Sequence, residues 1–226
     1  MDWREARVHV IDFEGTPRSG VVEYGIITLF GAMVVETATR FCAPVGELAP
    51  ADVRLHGIHE TDTTDQPPLA DDFDRFMRLR QEGPFCAHHA PVEMNLLKAA
   101  WPYPGSVRDF SQPRPAQIVS WGPLLDTRRI YASIYPELES CALEALLECF
   151  SLKPRLAELS ERYCPPRRRK PHCALYDALG SALLLLRLNE EPSMTRLSLA
   201  QLFELSAARA LSEPTAQAEL GFESGD

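Results

Sequence analysis

The sequence predicts an α/β fold: a mixed sheet with helices packed on its faces. Two observations carry this. The first forty residues hold three runs rich in β-branched and aromatic side chains, joined by short links. The part after residue 124 carries apolar stripes at helical spacing, and strand and helix patterns alternate between the two.

The elements follow in order. Val8, Val10 and Ile11 lead into Asp12-Phe13-Glu14. Gly20–Phe30 is a second strand, Gly31-Ala32 a short link and Met33–Thr37 a third strand, together an antiparallel meander. Residues 43–68, with four prolines and several Asp and Thr, read as a long loop. Phe73, Phe76, Met77 and Leu79 recur at near-helical spacing and predict a helix over 70–79. Residues 84–88 read as a short buried strand, and Pro91 suits the first turn of a helix running through Leu96, Leu97 and Ala100. Residues 101–115 read as loop and Gln117–Trp121 as another strand. Helices are expected over 124–135, 141–150 (N-capped by Ser140), 156–163 and 174–188, with Cys164-Pro165-Pro166 as a stop. One more helix is expected over 197–210, and the polar sequence after Glu213 reads as frayed. No internal repeat is present. The reading divides the chain into a main domain, 1–190, and a C-terminal helical extension with a frayed tail, 191–226.

Composition narrows the class. The chain has 226 residues, 45% hydrophobic and 24% charged, enough for one well-buried core. It contains no apolar run of about 18 residues, which argues against a membrane span. The charged start, Met1-Asp2-Trp3-Arg4-Glu5, does not read as a secretory signal. None of the six cysteines forms a C-x-x-C pair, so they read as reduced thiols and not as a structural zinc site; a cytoplasmic protein is expected. A net charge of −9 argues against a protein that coats nucleic acid. It argues less against an enzyme that holds phosphate at metal ions. The basic run Arg167-Arg168-Arg169-Lys170 fits either a solvated loop or a phosphate-steering patch.

Three segments carry candidate chemistry. Asp12 and Glu14 sit two apart in an apolar strand, so both carboxylates project from one face. Two crowded acids call for a cation, and divalent metal is the usual partner of hard oxygen ligands; a solvated strand edge is the alternative. In Pro171-His172-Cys173-Ala174-Leu175-Tyr176-Asp177-Ala178, five helical residues turn through about 140°, so His172 belongs in a loop and Asp177 inside a helix. Small residues at Ala174, Gly180 and Ser181 would let that helix approach the sheet; an ordinary capped helix start is the alternative. Glu93 opens a helix, where an acid also simply suits the helix dipole. Adjacent His88 and His89 point to opposite faces and do not suit a shared zinc.

Taken together, these segments resemble the DEDDh group of the DnaQ-like exonuclease family. Ile11-Asp12-Phe13-Glu14-Gly15-Thr16 looks like its first motif, and Ala87-His88-His89-Ala90-Pro91-Val92-Glu93 like its second, usually A-H-N-A-x-F-D. His172–Ala178 matches its third, H-x-A-x-x-D-A. His56-Gly57-Ile58 and Asp126-Thr127 are weaker family features in the same order, and the resemblance runs over residues 7–188. It implies a ribonuclease H-like mixed five-stranded sheet flanked by helices, making 1–190 an exonuclease domain. It implies removal of nucleoside 5′-monophosphates from DNA or RNA 3′ ends, with two Mg²⁺ or Mn²⁺ ions held by Asp12, Glu14, Glu93 and Asp177. His172 would be the general base, and Gly15, Thr16, His56 and Ile58 would contact the terminal nucleotide. Single-stranded DNA or RNA ends are the expected partners, with a polymerase or a second copy as possible protein partners. Glu93 and His89 stand where the family has Asp and Asn, which puts rate and metal preference in question. Those departures leave room for a catalytically weak end-binding module, a polymerase-associated subunit, or a hydrolase of small phosphate esters.

Overall fold

The computed structural model describes residues 1–191, 194 and 197–208. The meander forms as the sequence predicts, with strands β1 (Val8–Thr16), β2 (Gly20–Phe30) and β3 (Met33–Phe41) antiparallel to one another. The 43–68 stretch departs from the loop reading: it contains helices α1 (Pro50–His56) and α2 (Glu60–Thr63). Both are too short for an apolar period to register, and a proline opens the first. Then come α3 (Phe73–Glu82), β4 (Phe85–Ala87) and α4 (Pro91–Ala100).

The next segment holds two corrections. Val107–Arg108 (β5) lies inside the expected loop and pairs with Gln117–Ile118 (β6), so the strand expected near 117 belongs to a separate two-stranded ribbon. The fifth strand of the main sheet is β7 (Leu125–Asp126), inside the range read as helix; only α5 (Thr127–Ile134) is helical there. A two-residue strand is too short to show alternation, and the following helical stripe masks it. Helices α6 (Leu143–Cys149), α7 (Lys153–Tyr163) and α8 (Ala174–Arg187) follow. Ala142, not Ser140, is the N-cap of α6, while the Ser140 hydroxyl accepts the Ala142 N–H at 3.2 Å. The expected last helix is α9 (Leu199–Ala207), capped by Ser198; the expected residues 209–210 and the tail lie outside the described residues.

The main sheet runs β3-β2-β1-β4-β7, with β1, β4 and β7 parallel. Strand alternation divides the core in two. Val8 and Val10 join one apolar cluster with Leu175, Ala178 and Leu179 of α8. Ile11 and Phe13 join the other with Phe76, Phe85, Leu97, Trp101 and Trp121. By the same period-2 rule, Asp12 and Glu14 emerge on the α8 side. Helix α9 packs on α5 and β7, and Leu199 and Leu202 belong to the α8-side core. Among the described residues no helix is long and apolar enough to cross a membrane.

Candidate active site and metal centre

β1 supplies the first two acids, and α8 carries the third over them. Asp12 pairs in register with Gly25 of β2. A Cβ at Gly25 would lie 2.3 Å from the Ala174 backbone, so the bare glycine lets the start of α8 touch the sheet. Asp177, in the first turn of α8, thereby comes down beside β1. Asp12, Glu14 and Asp177 each offer an oxygen, all within 4.8 Å of one another. Gly180 does not serve this approach, contrary to the sequence reading: its open side faces Leu147 and Leu143 of α6.

The electrostatics match the crowding. Burial, then the charges of Asp177, Glu93, Glu14 and Glu23, drive the Asp12 carboxyl well above the usual carboxylate range. Burial and the neighbouring Asp177 and Glu23 raise Glu14 to about 8, although Arg168 opposes this. Asp177 is raised to about 7, chiefly by burial, against the hydrogen bond it accepts from the His172 N–H. Glu93 opens α4 and is 4% exposed; burial, with Asp126 and Glu14 nearby, lifts it to about 8. Its Oε2 is buried without a hydrogen-bond partner. Glu93 thus lies outside the tight group of three, near enough to raise Asp12 and carrying an unsatisfied oxygen. Hard carboxylate oxygens and an orphaned buried acceptor fit a divalent cation.

His172 sits in the loop before α8, exposed, with left-handed backbone (φ 59°). Its N–H donates to Asp177 Oδ2 at 2.9 Å, which fixes the loop to the acid. In the second motif His89 takes φ 70°, a conformation that Asn, Asp and His tolerate better than most residues. The His89 and Ala90 N–H groups both donate to the Asp126 carboxylate at 3.1 Å. Asp126 also caps α5 by accepting the Arg129 N–H at 3.3 Å, so one carboxylate anchors the turn that delivers Glu93. His88 turns the other way, to Thr127 Oγ1 and the Cys141 carbonyl, both at 2.9 Å. β4 ends at Ala87, so both histidines lie in the bend after the strand and not on it.

Gly15 has φ 131° at a register shift, and a Cβ there would lie 2.1 Å from the Gly20 carbonyl oxygen. The Thr16 N–H donates to Ser19 Oγ at 3.0 Å. His56 and Ile58 are buried, at 2% and 0% exposure. His56 Nδ1 accepts the Ile58 N–H at 3.0 Å, and its Nε2 is buried without a partner.

Sequence reading missed one group. Glu23 of β2 lies in register opposite Glu14, where like charges repel. Arg168 resolves this with a two-pronged ion pair to the Glu23 carboxylate. Arg168 also donates to the carbonyls of His56 (2.6 Å) and His172 (3.4 Å), and the Ala174 N–H donates to Glu23 Oε2 at 2.9 Å. One buried pair therefore ties together β2, the end of α1, the His172 loop and the start of α8. An acid inside the apolar run Val21–Phe30 was the available signal.

Set against solved structures, the chain aligns with Exonuclease X in complex with 5′ overhanging duplex DNA at a TM-score of 0.61, covering 86% of this chain and 98% of that one at 19% identity. The nuclease domain of 3′hExo, a DEDDh family member bound to rAMP, aligns at 0.57 over 85% and 96%, with 14% identity. The fold is that of the DEDDh exonucleases. An E. coli ExoI–ssDNA complex with bound zinc aligns at 0.58 over 88% of this chain and 42% of that one. Among curated sequences, DNA polymerase III PolC-type from Bacillus subtilis (strain 168) is 24% identical over 183 residues, 79% of this chain. The counterpart from Caldanaerobacter subterraneus is 22% identical over 153 residues. The chain spans only 11% and 10% of those polymerases' lengths. No known protein-family profile matches it.

Proposed function

We propose that this chain is a divalent-metal-dependent 3′→5′ exonuclease that releases nucleoside 5′-monophosphates from DNA or RNA ends. The observation that carries the reading is the Asp12–Glu14–Asp177 triad of oxygens within 4.8 Å, with the unsatisfied Glu93 oxygen beside it. These four acids would hold two ions, Mg²⁺ or Mn²⁺, which when bound offset the phosphate charge and make water more acidic. His172 would take the proton of the attacking water on its imidazole as the new P–O bond forms and the bond to the 3′ oxygen breaks, that oxygen then taking a proton from solvent to become the new 3′-hydroxyl. Its exposed position in a loop held to Asp177 suits that task. The Gly15–Thr16 backbone, with the His56 and Ile58 side chains, would form the pocket for the terminal nucleotide. Residues 1–190 form the nuclease unit and 191–226 an appended segment. The likeness to PolC-type polymerases supports a polymerase as protein partner. Six free thiols favour a reducing compartment such as the cytoplasm.

The test is a gel assay on 3′- and 5′-labelled single-stranded DNA and RNA with Mg²⁺ or Mn²⁺, comparing wild type with Asp12→Ala and His172→Ala. Stepwise 3′ shortening, lost in both variants, is expected. A second reading, an end-binding module with little turnover, is favoured by the longer Glu93. It predicts metal-dependent binding without shortening, and shortening that appears in Glu93→Asp.

A further inference from the structure

The basic run before His172 holds four cations, and the fold uses two. Arg168 is buried on Glu23. Arg169 is spent on main-chain carbonyls, its Nε on Cys164 at 3.2 Å and its Nη2 on Glu161 at 2.9 Å. Arg167 and Lys170 are exposed and make no hydrogen bond or ion pair among the described residues. Both line a cleft of about 610 Å³, shared with Phe41, Gly57, His59, Asp62 and Arg168. The cleft's one carboxylate, Asp62, already accepts the His59 N–H at 2.9 Å. On a chain of net charge −9 this is a local surplus of positive charge.

Its geometry is also held in place. The turn Pro166–Arg168 and the Arg168–Glu23 pair pin the middle of the run inward. That leaves the flanking Arg167 and Lys170 directed to solvent. Lys170 stands two residues before His172, so the cleft opens directly off the loop that presents the histidine.

We infer that this cleft is a strand-holding subsite: Arg167 and Lys170 each take a backbone phosphate of the same strand whose 3′ end lies at the acidic cluster. The inference rests on the nuclease reading and adds where the rest of the strand runs. Phosphodiester backbone is the ligand class because two exposed cations without protein partners among the described residues line one cleft and suit successive phosphates of a strand.

The measurement is fluorescence anisotropy of a 5′-labelled single strand of about twelve thymidines, with Ca²⁺ present, over roughly 50–200 mM salt. Wild type is compared with the Arg167→Gln/Lys170→Gln double variant. Losing two phosphate contacts should lower the slope of log K against log salt by about 1.4 and weaken binding on the order of tenfold at the low-salt end. The ratio of wild-type to variant affinity should also be larger for the long strand than for a dinucleotide. A slope unchanged in the variant, or equal ratios for both lengths, would overturn the subsite and leave the nuclease reading standing. A wild type that neither binds nor shortens the strand would overturn both.

Discussion

At the scale of single residues, charge governs behaviour. Asp12 is held among like charges in a poorly hydrated site, so the metal-free protein carries an electrostatic load at neutral pH. Asp12→Asn removes the ionisable group that bears this cost. Its metal-free melting temperature is expected above that of wild type. Mn²⁺ should raise the melting temperature of wild type and not of the variant, which calorimetry in chelator and in Mn²⁺ would read. A variant no more stable than wild type in chelator would count against the crowding. His88 acts in the opposite pH range. Burial holds it at about 4, below the 6.5 of free imidazole. As pH falls, the unfolded chain takes up the proton first, so the contribution of His88 is full above about 6.5 and is lost on the way to 4. It amounts to roughly 2–3 kcal/mol. Urea titrations from pH 7 to pH 4 should show a shallower loss of stability in His88→Gln than in wild type.

Elements set how far apart the acids stand. The spacing between α8 and β2 depends on Gly25, where any side chain meets backbone that cannot swing aside. Gly25→Ala should push the start of α8 off the sheet, carrying Asp177 away from Asp12. Under the proposed function, turnover is expected to drop by at least about tenfold, with a stability loss of roughly 1–3 kcal/mol from overpacking. Wild-type turnover in this variant would show that the close approach does not matter to the site. This is also where the limits of sequence reading lie. Asp12 and Glu14 were legible because period 2 fixes their shared face, and His172 and Asp177 because helical rotation separates loop from helix. Gly25 and Glu23 were not, since their importance comes from residues roughly 150 positions later. The two-residue β7 was hidden for a different reason, as it is shorter than any period it would need to display.

Across the whole molecule, the site leans on α9. The Asp126 N–H donates to Ser206 Oγ at 3.0 Å, and the Ser133 hydroxyl donates to the Leu205 carbonyl at 3.0 Å. Asp126 in turn holds the turn that precedes Glu93. Leu202→Ala, at a fully buried position in α9, should therefore cost about 2–5 kcal/mol and loosen the Glu93 side of the site. Hydrogen exchange should show faster exchange of the His89 and Ala90 amides; exchange unchanged there would mean that α9 is packed on the site without supporting it. The meander, the α8 pattern and the last helix were all readable from local periodicity. How the last helix bears on the second motif was not, because a serine hydroxyl capping a distant strand leaves no periodic trace.

The docking of α9 ends in a seam: Ser198 bridges Asp2, the Leu199 N–H donates to the Met1 carbonyl at 3.1 Å, and the Trp3 N–H to the Leu197 carbonyl at 3.4 Å. Such a contact closes nearly the whole described chain into a loop, a slow step compared with local hairpins. During synthesis the first strands emerge long before their partners in this seam. The meander and its two acids can thus assemble early. The support behind Asp126 arrives only once residue 206 has left the ribosome, which leaves a growing chain with its acidic strand in place and its second motif not yet braced.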